Sequence, residues 1–323
     1  REQRQANAES DVALFGGAAV QRCVFVSGRT YNRAESTAPT SHLWALRARN
    51  SMPFVKNQSA KIYWDEQGQG TPLLLIMGLG YPSALWHRTR PVLSLHFRTI
   101  AFDNRGVGSS DAPLGPYSVA TMASDAAAVL DAAGISRAHV FGVSMGGMIA
   151  QEFALEYPAR TRALILGCTS PGGPSAVRAA GKVIDILFAR GMTFEQSRQA
   201  ILPYIYDAAT PPRKVEEDVM LRRRCLTSQA GYMSQLRAIL AWECYSRLGE
   251  IKAPTLVIHG TSDALVPPAN GKLIAERIPD AKLVLLEHAS HLFTTDQTEA
   301  AHRAILEFLS SHENPSSQAT AEM

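Results

Sequence analysis

Val140-Phe141-Gly142-Val143-Ser144-Met145-Gly146-Gly147-Met148-Ile149-Ala150 sets a Gly-x-Ser-x-Gly pattern between an apolar run and a run of small residues with helical spacing. On a strand–turn–helix unit this pattern is a nucleophile elbow, a tight turn that projects the serine hydroxyl. Glycine at 142 and 146 removes side chains for which such a turn has no room. The pattern predicts that Ser144 is a nucleophile. Taken alone, it fits a glycine-rich helix start with an incidental serine equally well.

The surroundings favour the elbow. Residues 61–66 alternate as a strand does, and residues 72–77 form a continuous apolar run bounded by glycine. Further strand-like runs lie at 98–103, 139–142, 163–167, 255–259 and 282–286. Continuous apolar runs suit strands covered on both faces, as in a parallel sheet. Helical patterns at 119–134, 145–156, 268–278 and 298–310 fall between or after them. Strands alternating with helices predict an α/β fold, a doubly wound and mostly parallel β-sheet flanked by helices, with active residues at the strand carboxyl ends.

The alternation stops between Gly173 and Arg247. Helical stretches near 175–190, 193–202, 213–227 and 230–247 are punctuated by Gly191, Pro203 and Pro211-Pro212. They predict a helical cap or lid at 173–247 inserted into a core of 52–172 and 248–310. The polar residues 311–323 are expected to fray. Residues 1–51 mix charge and polar side chains without sustained periodicity, and order begins at Met52-Pro53-Phe54-Val55. This stretch is expected to be an extension without a packed core, with Met52 the natural start.

Composition narrows the class. The 323 residues are 46% hydrophobic and 19% charged, as in soluble globular proteins, and a net charge of +3 gives no case for nucleic acid. Arg222-Arg223-Arg224 is the densest basic cluster and reads as a solvated helix face. The nine-residue apolar run at 12–20 is too short for a membrane span. Cysteines 23, 168, 225 and 244 show no Cys-x-x-Cys spacing and the histidines no metal-binding pair, so neither a metal nor a disulfide framework is implied. Reduced thiols suggest a cytoplasmic protein. The loop Gly78-Leu79-Gly80-Tyr81-Pro82 only half resembles a dinucleotide loop, and no cofactor is expected.

A serine nucleophile needs a base, and the base needs an orienting carboxylate. Asp263, in His259-Gly260-Thr261-Ser262-Asp263, stands just past one strand, and His291, in His288-Ala289-Ser290-His291, just past the last. Asp280 and Asp296 compete less well for position. His259 reads as a packed residue at a strand end. An oxyanion hole needs two backbone N–H groups. Met145, following the serine, supplies one, and Leu79 in the loop after the first apolar run supplies the other.

Together with Asp103-Asn104-Arg105-Gly106-Val107-Gly108-Ser109-Ser110, these motifs resemble the α/β-hydrolase family, in its single-domain esterase, lactonase and cofactor-free haloperoxidase-like branch. The resemblance spans roughly residues 54–309. It implies a Ser144-His291-Asp263 triad acting through an acyl-enzyme, with the later histidine preferred over His288 and a structural role for Asp103 and Arg105. Many members carry His-Gly where this chain has Met77-Gly78, which leaves the shaping of the oxyanion loop open.

Tyr81, Trp86, Tyr204, Trp242 and Phe293 are the aromatic candidates for the substrate pocket and favour a small-to-medium lipophilic acyl compound. Hydrolysis of an ester or lactone is the leading reading. Carbon–carbon bond hydrolysis or perhydrolysis would use the same triad, and a non-catalytic ligand-binding receptor could retain it.

Overall fold

The protein is described from a computed structural model over residues 53–224 and 227–313. The expected extension at 1–51, the proposed start at Met52 and the tail from 314 lie outside the described residues. The chain begins with β1 (Phe54–Asn57), β2 (Ala60–Gln67) and β3 (Pro72–Ile76). Next come α1 (Arg90–Leu93), β4 (Arg98–Phe102), α2 (Val119–Ala132), β5 (Ala138–Val143), α3 (Met145–Glu156) and β6 (Thr161–Gly167). Five helices follow: α4 (Gly181–Leu187), α5 (Phe194–Ala200), α6 (Leu202–Ile205), α7 (Pro212–Arg224) and α8 (Gln229–Ala241). The chain then returns through β7 (Thr255–Gly260), α9 (Ala269–Arg277), β8 (Lys282–Leu286), α10 (Phe293–Asp296) and α11 (Thr298–Ser310).

The strands form one sheet in the order β1-β2-β4-β3-β5-β6-β7-β8. β1 and β2 pair antiparallel with each other, and β2 pairs antiparallel with β4. Every pairing from β4 to β8 is parallel. The order reverses around β3, with β4 on one side and β5 on the other, so loops after β3 and β5 diverge and leave a crevice.

Alternating side chains explain why the central strands are apolar throughout. Leu74 and Ile76 of β3, Val140 of β5 and Leu164 and Leu166 of β6 pack on one face with Met122, Phe153 and Ile274 from α2, α3 and α9. Leu73, Leu75, Phe141, Ala163 and Ile165 pack on the other face with Leu93, Ile305 and Phe308 from α1 and α11. A strand with both faces covered cannot carry a polar period.

The inserted helices have a small core of their own around Val183, Ile186, Ile201, Ile205 and Tyr206. Their entry and exit are tied by a bridge between Gly172 and Glu243, and Asn270 on α9 exchanges hydrogen bonds with both backbone groups of Val177. Glu313 accepts a hydrogen bond from Thr71 at 3.2 Å, beside the end of the sheet.

His139 on β5 is fully buried, with Phe97 edge-on at 6.0 Å; the Glu313 carboxylate stands 3.5 Å from Nε2 without making a hydrogen bond, and neither ring nitrogen has a hydrogen-bond partner. Burial lowers its pKa to about 4, with Arg162, His312 and Arg137 adding repulsion. The unfolded chain therefore takes up a proton near pH 6.5 that the native state refuses until about pH 4. Stability from the neutral ring is complete above pH 6.5 and declines as pH falls through this window, by roughly 3 kcal/mol. Denaturant unfolding of the wild type and His139→Leu checks this. The wild-type advantage shrinks by about that amount from pH 7 to pH 4, and a pH-independent difference refutes it.

Candidate active site

Ser144 sits between β5 and α3 with φ 55° and ψ −122°, a conformation few side chains tolerate. The surrounding structure holds it there. Its N–H donates to the Gly167 carbonyl at 2.8 Å, and its carbonyl accepts from Thr169 Oγ1 at 2.7 Å and from the Gly147 N–H at 2.9 Å. A Cβ on Gly142 would lie 2.1 Å from the Gly146 oxygen, and one on Gly146 would lie 2.1 Å from the Ile76 oxygen. Both glycines are required by backbone contact, as the five-residue pattern implied.

Pairing of β3 with β5 places Ile76 opposite Gly142 and brings the loop after β3 against the serine. A Cβ on Gly78 would lie 3.1 Å from Ser144 Cβ. The loop is held from three sides: Asn104 donates to the Met77 carbonyl, Thr227 donates to the Gly80 carbonyl, and Gln235 accepts from the Gly80 N–H, each at 2.8 Å. These groups shape the loop in which Met77 replaces the common histidine. Leu79 lies inside that bracket, and Met145 is the first residue of α3, whose N–H has no intrahelical acceptor.

Asp103 and Arg105 are buried and structural, as expected. Asp103 accepts from the Ser83 N–H and hydroxyl at 2.7 Å and from the Ser109 N–H at 2.9 Å. Arg105 forms a two-pronged ion pair with Asp125 at 2.6 Å.

Asp263 follows β7 and His291 follows β8, so parallel pairing of these strands delivers both to one end of the sheet. Asp263 Oδ2 lies 2.8 Å from His291 Nδ1, while Oδ1 accepts from the N–H groups of Leu265 and Val266 at 2.9 and 2.8 Å. Burial raises the Asp263 pKa, but attraction to His291 and hydrogen bonds from His259 and His291 outweigh it and hold the carboxyl below its usual range. A carboxylate at Nδ1 fixes the proton there and turns the Nε2 lone pair outward.

His259 is packed, as expected, but it also serves the aspartate. Its Nε2 lies 2.8 Å from the Val266 carbonyl and 3.2 Å from Asp263 Oδ2. Since both are acceptors, the proton of His259 resides on Nε2. Sequence spacing gave no sign of this second histidine on the carboxylate.

Ser144 and His291 line one cavity of about 590 Å³, with Leu79, Met145, Tyr81, Trp86 and Phe293. No hydrogen bond joins Ser144 to His291 among the described residues. Tyr204 and Trp242 are not on the cavity wall and must be removed from the candidate pocket. Trp242 points into the core, donating from Nε1 to buried Glu152 at 2.8 Å. Tyr204 packs against the small core of the inserted helices, and its carbonyl accepts from Ser290 Oγ at 3.4 Å.

The wall instead includes Arg198, Arg222, Tyr232, Leu236 and Leu265. Arg222 is a second correction. It is 6% exposed and faces inward, unlike the solvated face expected of its triplet. The available signal was helical spacing, since 215, 218 and 222 share one face of α7. Among the described residues no group of three or more His, Cys, Asp or Glu is placed to hold a metal ion, and no helix is long and apolar enough to cross a membrane.

The sequence model of the alpha/beta hydrolase fold family matches residues 71–296. The chain belongs to that family. It is 31% identical over 265 residues to a putative carbamate hydrolase RutD of Azorhizobium caulinodans, covering 80% of this chain and 98% of that protein. It is 36% identical over 244 residues to a poly(3-hydroxyalkanoate) depolymerase of Ectopseudomonas oleovorans, covering 74% and 84%. Among solved structures, the enol-lactonase of Burkholderia xenovorans LB400 superposes with a TM-score of 0.72 at 28% identity, over 80% of this chain and all (100%) of that one. The protein is accordingly an α/β hydrolase.

Trp242→Phe removes the indole donor from Glu152 while leaving the cavity wall intact. The variant is expected to lose about 1–3 kcal/mol of stability by denaturant unfolding, as a buried acceptor loses a partner. KM for a neutral ester stays within about twofold of wild type, because no wall contact changes. A large KM change with unchanged stability would return Trp242 to the pocket.

Proposed function

We propose that this hydrolase cleaves a carboxylic ester or lactone of a small-to-medium lipophilic compound through Ser144, His291 and Asp263. The observation that carries this reading is the Asp263–His291 pair at 2.8 Å, with His291 lining the same cavity as a serine held at positive φ. His291 Nε2 takes the Ser144 proton as the hydroxyl attacks the acyl carbon, and Asp263 stabilises the imidazolium that forms. The N–H groups of Leu79 and Met145 bind the oxyanion. Collapse of the tetrahedral intermediate expels the alcohol, which takes the proton from His291. Water then attacks the acyl-enzyme by the same base catalysis and releases the acid.

The helices between β6 and β7 serve as the lid over this site. Their inner surfaces supply Leu187, Phe194, Ile201 and Leu236 to a largely apolar cavity, which suits a lipophilic acyl group better than a peptide or sugar. The depolymerase and the enol-lactonase act, by name, on a polyester and a lactone, which agrees with acyl-oxygen cleavage.

Hydrolysis of p-nitrophenyl esters and of lactones tests the proposal. Ser144→Ala lowers kcat on the order of 10⁶-fold, and Asp263→Asn on the order of 10⁴-fold, by comparison with other serine hydrolases. A fluorophosphonate probe labels the wild type and leaves Ser144→Ala unlabelled. A folded wild type that resists labelling would sink the enzyme reading in favour of a binding protein.

A further inference from the structure

Charge in the cavity wall is unbalanced. Its acidic residue, Asp218, is already saturated: Arg88 and His87 approach Oδ1 at 3.0–3.2 Å, and Thr295 and Tyr206 donate to Oδ2 at 2.7 and 3.2 Å. Arg222, one turn further along α7, shares none of these contacts. Its Nη1 donates to the Tyr81 hydroxyl and its Nη2 to the Arg198 carbonyl, both at 2.8 Å and both neutral oxygens. Its Nε is buried without any hydrogen-bond partner.

Arg198 stands on the same wall and brings a second guanidinium, whose Nη2 donates at 3.5 Å again to a neutral oxygen, the Arg222 carbonyl. Burial, and then repulsion from Arg222, lower the Arg198 pKa despite the attraction of Glu195. A buried cation with neutral acceptors and an orphaned donor is costly unless a ligand supplies the counter-charge.

We propose that the substrate carries a carboxylate, bound by Arg222 with Arg198, at the far end of an acyl chain whose ester or lactone carbonyl lies at Ser144. This rests on the hydrolase mechanism above and names its substrate class: half-esters of dicarboxylic acids, or lactones bearing a free carboxylate. A guanidinium presents donors in the plane that a carboxylate accepts. A single negative charge fits better than a phosphate dianion, because the rest of the wall is mostly apolar. The Tyr81 hydroxyl, two residues past Leu79, fixes the guanidinium against the oxyanion loop, so one rigid segment relates both ends of the substrate.

The test compares p-nitrophenyl hydrogen dicarboxylates of four to eight carbons with p-nitrophenyl esters of the corresponding monoacids. Wild type favours the best charged ester in kcat/KM by at least about 10-fold, with an optimum chain length. Arg222→Met reduces the charged-to-neutral ratio about 100-fold, the scale expected when a buried partner of a charge is removed, and Arg222→Lys loses less. A merely structural role for Arg222 would lower both rates together and leave the ratio unchanged. Wild type that favours the neutral esters at every length overturns the proposal while leaving ester hydrolysis standing, and needs no variant to fold. If neither series is hydrolysed, calorimetry with Ser144→Ala decides separately. Tighter binding of monomethyl adipate than of dimethyl adipate, lost in Ser144→Ala/Arg222→Met, supports the anion site, and equal binding of the two overturns it.

Discussion

The active end of this molecule depends on a backbone that cannot relax at one residue. Ser144 holds a positive φ because its N–H and carbonyl are both fixed, to Gly167 on β6 and to Thr169 just beyond it. The turn is so tight that the backbones of β3, the elbow and α3 touch where side chains would otherwise stand. An added Cβ at 142 or 146 meets a carbonyl oxygen at 2.1 Å, far inside contact distance. The strain, on the order of 1–3 kcal/mol, is tolerated because four parallel pairings on both sides of β5 and β6 are fixed by full burial. Sheet register, together with the elbow's two glycines, holds this backbone in place.

The same register governs the charged groups. Strand β7 ends in Gly260, where a Cβ would come within 2.4 Å of the Ala289 and Ser290 carbonyls, so the loops after β7 and β8 can lie directly against each other. That closeness puts Asp263 and His291, 28 positions apart, in hydrogen-bond contact. Burying a carboxylate is expensive in isolation. Two backbone N–H groups, His259 and His291 surround this one, and their combined attraction exceeds the cost of burial. An ionised, fully engaged aspartate can select one tautomer of His291 without competing for the proton itself.

Most of the sheet was legible because its physics is local. Strands covered on both faces must be apolar throughout, and five of the runs read that way reappear as β3 to β7; the sixth is β8, an edge strand with Lys282 and Leu283 exposed. The antiparallel edge was less visible: β1 is only Phe54-Val55-Lys56-Asn57, half-exposed, and its pairing to β2 depends on a turn rather than on burial. The helices between β6 and β7 were legible as helices but overlong, because propensity does not show where a chain turns to close a small core. The stretch read at 175–190 contains one helix of seven residues. Pocket residues were the least legible. An aromatic side chain in the right segment can face either the cavity or the core, and Trp242 faces the core because buried Glu152 offers its indole a partner.

Helix α7 shows why residue type alone misleads in this segment. Its residues divide by direction, not by charge. Lys214, Glu217 and Asp218 clamp the helix to Arg88, Thr295 and Thr298, on the segments that follow β3 and His291. One turn on, the Arg222 guanidinium reaches Tyr81 on the loop after β3. The helix is thus fastened at one end beside His291 and at the other to the loop after β3. A shift of α7 would have to break buried, charge-assisted contacts with Asp218, each stronger than a neutral hydrogen bond, before it moved Arg222. The helices preceding α7 are tied to it by the Arg222–Arg198 hydrogen bonds, while among themselves Val183, Ile186, Ile201 and Ile205 meet through apolar, non-directional contacts. Such contacts can slide and repack at lower cost than a saturated ion pair can open. The segment thus combines a wall pinned through Asp218 and Arg222 with a neighbouring layer whose packing is mostly apolar.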